Sequence, residues 1–356
     1  MHQLDNLAAI GRLDRENMLE SVALFPRQLE QAWQETKKIK LPPAYKKVNK
    51  IVINGMGGSG LGTHLIRSVY FKDLKLPLGN IHSYDLPGLV DKQTLYIISS
   101  YSGTTEEPLN TIKEAQQRGA KLLGITSGGE LAELIEASQF PGYVFVPQYN
   151  PCAQPRIGLG YSLMGILGLL SRLGFIKVND QEVHRIIERL DRLAKELVPK
   201  TSLNHNDAKQ LADQLYGHIP IIVAAEFLSG NAHVLANQFN ESAKNFSAYF
   251  LISELNHHLL EGLARPGSNR KNLHFVFLKS RLYNSRQQKR FIITADIVKQ
   301  NKLSFSDYLV AGDSPLEQAL AMVLFGSYAS FYLAVLNGTD PSAIPYVDYL
   351  KKQLRH

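Results

Sequence analysis

With 356 residues, 44% of them hydrophobic, the chain exceeds what a single core usually supports, so two domains of similar size are expected. Its one cysteine, Cys152, excludes an internal disulfide and a multi-cysteine metal site, and points to a reducing compartment, the cytoplasm by default. The formal charge of +7 sits in short clusters such as Arg281, Arg286, Lys289 and Arg290 without interleaved aromatics, which argues against nucleic acid, and no stretch reads as a secretion signal or a membrane span.

Arg15 to Lys38 reads as a helical leader with an apolar stripe of Leu19, Val22, Ala23, Phe25, Leu29 and Trp33, closed by Pro42-Pro43. Short apolar strands follow at Ile51–Ile53, Leu95–Ile98, Leu122–Ile125 and Tyr143–Val146, separated by helical stretches near 62–70 and 107–117. Such alternation implies right-handed βαβ units and a parallel sheet covered on both faces. An apolar helix within 155–173 and a charged one at 181–197 bridge to a second alternation. There, strands are expected at 219–225, 249–252 and 273–278, with helices at 231–246 and 316–336. The first strand, turn and helix of each half look alike, so two units are expected, 1–180 and 181–356.

Two turns in the first half carry chemistry. Ser100-Tyr101-Ser102-Gly103-Thr104-Thr105-Glu106-Glu107 places four hydroxyls where a strand turns into a helix, a setting suited to a phosphate monoester. Thr104 and Glu107 also have the spacing of an ordinary capping box. Gly55-Met56-Gly57-Gly58-Ser59-Gly60 satisfies the dinucleotide fingerprint, and Asp85 lies where a ribose-binding acid could sit, so an NAD(P)-dependent dehydrogenase is an alternative. Two such turns on one sheet suit a single sugar phosphate between them. The second half has Lys279-Ser280-Arg281 in place of the hydroxyl loop, which implies one phosphate site per chain.

These two turns, together with Pro155-Arg156-Ile157-Gly158-Leu159-Gly160-Tyr161-Ser162, Asn240-Glu241-Ser242-Ala243-Lys244-Asn245, Glu254-Leu255-Asn256-His257-His258 and the tail Asp340-Pro341 with Leu350-Lys351, resemble the sugar isomerase (SIS) domain superfamily. The likeness is closest to its bifunctional phosphoglucose/phosphomannose isomerases and runs from about Ile51 to the C-terminus, leaving the N-terminal ~45 residues outside. It implies two three-layer αβα sandwiches, each with a mainly parallel sheet flanked by helices. It also implies isomerisation of glucose 6-phosphate, and of mannose 6-phosphate, to fructose 6-phosphate through a cis-enediol, without metal or organic cofactor. Gly57, Gly58, Ser59, Ser100, Ser102 and Thr105 would line the sugar-phosphate site. Arg156 would stabilise the enediolate, Glu241 would be the base, His257 would open the ring and Lys351 would complete the site. By the same resemblance the protein is a homodimer in which His257 completes the neighbouring subunit's site.

The residues themselves are compatible with these roles and with plainer ones. Glu241 shares a helical face with Gln238 and Asn245, but it also has the spacing of a solvated pair with Lys244. His257 suits proton shuttling near neutrality and equally suits capping or packing. Arg156 offers a planar fork to a developing oxyanion, or is a surface arginine after a proline; Lys351 belongs to a charge pair that solvent alone explains. Adjacent His257 and His258 point about 100° apart on a helix and cannot share a metal as an i, i+4 pair does. A non-catalytic sugar-phosphate-binding regulator stays open as a further alternative, though the leader lacks a helix-turn-helix pair.

Overall fold

The computed structural model describes residues 2–354. The leader folds as α1 (Leu7–Leu13), α2 (Met18–Ala23) and α3 (Phe25–Thr36). The expected single helix is therefore broken, with Leu24 outside the helices and Pro26 in the first turn of α3, where its missing N–H costs nothing. Val22, Phe25, Leu29 and Trp33 of the expected stripe are buried in the main core.

The first half then runs β1 (Lys50–Asn54), α4 (Gly58–Val69), β2 (Leu78–Ile81), β3 (Thr94–Ser99), α5 (Glu106–Asn110), α6 (Ile112–Gln117), β4 (Lys121–Thr126), α7 (Gly129–Glu136) and β5 (Gly142–Val144). All five strands are parallel in the order β2-β1-β3-β4-β5, with Ile53 opposite Ile97 and Ile97 opposite Leu123. Central strands β1 and β3 are apolar and buried on both faces, as a parallel sheet requires. The helix expected across 107–117 breaks at Thr111, whose hydroxyl donates to the Pro108 carbonyl (2.7 Å) and meets the buried Tyr96 hydroxyl (2.6 Å).

Three helices, α8 (Leu159–Leu173), α9 (Asp180–Leu197) and α10 (Asp207–Leu215), lead to the second half. It runs β6 (Ile219–Ala225), α11 (Ser229–Glu241), β7 (Ala248–Ile252), α12 (Leu255–His258), α13 (Asn269–Asn272), β8 (Leu273–Lys279), α14 (Ser285–Gln300), β9 (Ser304–Leu309), α15 (Pro315–Leu336) and α16 (Pro345–Leu354). Its four strands are again parallel, in the order β7-β6-β8-β9. The helix expected to 246 ends at Glu241, because Lys244 turns to a φ of 53° and Asn245 N–H bonds back to the Phe239 carbonyl at 3.1 Å.

Contrary to the sequence expectation, one segment does have the length and composition of a membrane span. α15 has 22 residues and a mean hydropathy of 1.9, and 89% of that window is buried inside the protein, where it is the central core helix. α9 packs on both α3 and α15, so no exposed linker separates the two halves.

Helices α4 and α11 lie against each other and run in opposite directions. The beginning of α4 meets the end of α11 around Leu61, Asn237 and Glu241, and the end of α4 meets the beginning of α11 around His64, Arg67 and Gly230. The carboxyl edge of the first sheet therefore shares one end of the molecule with the amino edge of the second. Gly230 makes this contact possible: a Cβ there would sit 2.6 Å from the backbone oxygen of His64. Gly230→Ala is expected to destabilise the protein by roughly 1–3 kcal/mol through overpacking. Thermal denaturation reads this as a lowered midpoint; an unchanged midpoint would mean that the helix pair is not close-packed.

Candidate active site

Both sequence turns lie at the carboxyl edge of the first sheet and are tied together, since the Tyr101 N–H donates to Ser59 Oγ at 2.9 Å. Gly57 starts α4 with a φ of 49° and a ψ of −130°, and no side chain caps that helix. The Ser59 and Gly60 N–H groups turn back to the carbonyls of Met56 (3.1 Å) and Gly57 (3.0 Å), which leaves the Gly58 N–H of that first turn to a ligand or solvent. In the hydroxyl loop, buried Ser100 Oγ pairs with Thr105 Oγ1 at 2.8 Å and accepts the Gly103 N–H at 3.1 Å. Exposed Ser102 accepts from Thr104 through both N–H (3.3 Å) and hydroxyl (3.1 Å). The capping box does not form: Thr105, not Thr104, is the N-cap of α5, and its side chain caps nothing. Gly103 is required by its turn, with a φ of 68° and Gly128 O so close that a Cβ would fall 1.7 Å away.

Arg156 abuts this cradle. A Cβ on Gly58 would lie 3.1 Å from Arg156 Cα, and one on Gly158 would lie 2.4 Å from the Tyr101 ring, so glycines at both positions let the 154–158 turn press onto the two loops. Arg156 is half-buried, and the protein holds both terminal nitrogens of its guanidinium. Nη1 donates to Gln154 Oε1 (2.9 Å), and Nη2 donates to the carbonyls of Pro341 (2.9 Å) and Ser342 (2.7 Å). Its Nε–H is buried without an acceptor among the described residues, a cost that a bound oxyanion would remove.

Glu241 closes α11 and faces the same crevice as Arg156, together with Leu61, Gln238 and Ser327. Burial pushes its carboxyl pKa above the ordinary value, while the charges of Arg156 and Lys244 pull the other way. Burial likewise lowers the pKa of Arg156, against the attraction of Glu241. The solvated Glu241–Lys244 ion pair does not form: Lys244 Nζ donates to the backbone carbonyl of Glu241, at 2.7 Å. A carboxylate with raised pKa thus shares a crevice with a fixed cation whose own turn abuts the two loops, an arrangement suited to moving a proton next to a carbonyl.

His257 and Lys351 are elsewhere. Asn245 Nδ2 bonds the His218 carbonyl at 2.9 Å and Ser247 Oγ the Pro220 carbonyl at 2.8 Å, which sets the end of α11 beside the start of β6. His257 is exposed on α12, past the far end of β7, at the opposite edge of the second sheet. The separation is the length of α11, 13 residues, or roughly 20 Å. Lys351 is exposed on α16, a helix with no buried residue. Sequence reasoning missed Gln154, Lys244 and the carbonyls of Pro341 and Ser342 as parts of the site. Asp340-Pro341 was visible as a motif, but a backbone acceptor leaves no side-chain signal.

The fold itself is shared with solved structures. A hypothetical protein from Thermus thermophilus superposes with a TM-score of 0.72 at 15% identity, covering 98% of this chain and 93% of that one. The C-terminal domain of glucosamine-fructose-6-phosphate aminotransferase from Francisella tularensis gives 0.67 at 14% identity, covering 92% and 98%. The shared fold is two parallel sheets, each flanked by helices. Residues 204–354 match the family model described as the bacterial phospho-glucose isomerase C-terminal SIS domain. A bifunctional phosphoglucose/phosphomannose isomerase of Caldicellulosiruptor bescii is 33% identical over 95% of this chain and 98% of its own length. One of Thermoplasma volcanium is 34% identical over 86% and 92%. The chain belongs to the bifunctional phosphoglucose/phosphomannose isomerase family. Similarity over 95% of the chain also takes in most of the leader, which the sequence motifs had left outside.

Replacing Ser100 by Ala removes one loop hydroxyl; a hydrogen bond to a charged group is worth about 1.5–3 kcal/mol, or about 10- to 100-fold in affinity. Calorimetric titration with inorganic phosphate is expected to show that weakening, and equal affinity for wild type and variant would take Ser100 out of the cradle.

Proposed function

We propose that this chain is a metal-independent aldose–ketose isomerase that interconverts glucose 6-phosphate, and mannose 6-phosphate, with fructose 6-phosphate. The observation that carries this reading is the placement of Glu241 and Arg156 in one crevice beside the two phosphate-type turns. In this reading Gly57, Gly58, Ser59, Ser100, Ser102 and Thr105 hold the phosphate, and the sugar extends toward Arg156. Glu241 takes the proton from C2 of the aldose, or from C1 of the ketose, and returns it to the other carbon. The Arg156 guanidinium meets the enediolate oxygen, and protonation of a planar enediol at C2 from either side yields both epimers. Family membership removes the support for the dehydrogenase and regulator alternatives.

Ring opening falls to His257 of a second copy. Within one chain His257 and Glu241 lie at opposite edges of the second sheet, so a two-fold homodimer is the arrangement that brings a histidine to the site. Lys351 completes the site from α16. We read the chain as two SIS units dividing between residues 180 and 181, acting in the cytoplasm on the hexose phosphates of glycolysis and gluconeogenesis.

Glu241→Gln is expected to abolish turnover of both aldose phosphates while leaving sugar-phosphate binding intact, in a coupled assay containing EDTA. Near-wild-type turnover by that variant would overturn the mechanism, and loss of wild-type activity in EDTA would overturn metal independence. A base must be ionised to act, so kcat/KM is expected to fall as pH drops through the raised pKa of Glu241, above the 4.5 of an ordinary glutamate. An acid limb at or below 4.5 would remove Glu241 as the titrating group.

A further inference from the structure

The turn after α11 carries a lysine where the backbone suits glycine. Lys244 has a φ of 53°, in the left-handed region that disfavours any residue with a Cβ. Its side chain accounts for its presence. The ammonium donates to the carbonyls of Glu241 (2.7 Å) and Pro341 (2.9 Å), with that of Ser242 at 3.4 Å, so every acceptor it finds is a backbone oxygen. Glu241 and Ser242 end α11, where carbonyls lack helical partners and a cation is favoured.

Pro341 O is thus shared by two cations, Lys244 Nζ and Arg156 Nη2, both at 2.9 Å. Bringing them together is not electrostatically neutral: partial burial and the charge of Arg156 push the Lys244 pKa down to about 8. The shared carbonyl belongs to a buried strap, Pro341-Ser342, that runs on into α16, none of whose residues is buried. The strap in turn sets the guanidinium, because Nη2 gives its hydrogens to Pro341 and Ser342.

Resting on the isomerase reading above, we infer that Lys244 is a positioning residue, which ties the end of the Glu241 helix to the Pro341-Ser342 strap and thereby fixes Arg156 relative to the base. Lys244 lies outside the phosphate cradle, so its loss is felt in chemistry more than in substrate capture. A strap no longer tied to α11 lets the guanidinium turn away from the developing oxyanion while the phosphate stays held. The family resemblance assigned the lysine role in the site to Lys351 alone; Lys244 acts from the other end of the same segment.

Lys244→Gly separates this role from a merely structural one, because glycine relieves the backbone while deleting the ammonium. The expected result is an equal or higher denaturation midpoint, kcat for glucose 6-phosphate lowered at least about tenfold, and KM within about threefold of wild type. Lys244→Met, which keeps the stem, should lose kcat in the same way, and Lys244→Arg should recover most of it. Chymotrypsin should release the C-terminal segment at Tyr346 or Tyr349 faster from the glycine variant than from wild type. Wild-type kcat in Lys244→Gly, or a raised KM with kcat unchanged, would overturn the inference. An inactive wild-type chain would remove the isomerase reading and this one together, whereas an active wild type beside a fully active glycine variant removes only this one.

Discussion

Everything at the site follows from the antiparallel contact between α4 and α11. Each helix begins at the carboxyl edge of its own sheet, so opposing directions bring the start of one to the end of the other. The phosphate-type cradle at the head of α4 is thereby set against Glu241 at the foot of α11. A parallel pairing would place the cradle beside the start of α11, a helix length away from the carboxylate. The contact depends on a missing side chain at Gly230, where the α4 backbone leaves no room for a Cβ.

Arg156 converts that contact into a working geometry. Its backbone is pressed onto the cradle by Gly58, and its side chain spans to the C-terminal strap at Pro341 and Ser342. One residue therefore joins the first sheet, the second-half helix carrying Glu241, and the last segment of the chain. The electrostatics are balanced rather than maximal: burial raises the Glu241 pKa while Arg156 and Lys244 restrain the rise. The result is a carboxyl whose pKa is raised by burial and held in check by two neighbouring cations.

Much of this was legible in the sequence because it rests on patterns with a short period. Strands β1, β3, β4, β6, β7 and β8 announce themselves as apolar runs, and the glycine and hydroxyl turns follow strands directly. Edge strands β2 and β9 did not, since Leu78-Gly79-Asn80-Ile81 and Ser304-Phe305-Ser306-Asp307-Tyr308-Leu309 keep a face partly in solvent and lack a continuous apolar run. The long helix expected at 316–336 is α15, and the burial of its apolar span in the core is a fact of tertiary structure that its composition does not state. Within the site, Glu241 and Arg156 were visible as side chains in motifs. The strap carbonyls and the role of Lys244 were not, because a backbone acceptor and a left-handed lysine have no sequence signature. The position of His257 on the far edge of the second sheet likewise follows from strand direction, which a motif does not state.

That position makes subunit complementation the most direct test of the account, in which each site takes its base from one chain and its ring-opening histidine from the other. Glu241→Gln and His257→Ala chains, each inactive as a homodimer, would be co-expressed and the mixed dimers assayed with glucose 6-phosphate. Random pairing makes half the dimers mixed, each with one intact composite site, so about one quarter of wild-type activity is predicted. Mixed dimers that form and stay inactive would contradict the account, because base and histidine would then have to come from the same chain.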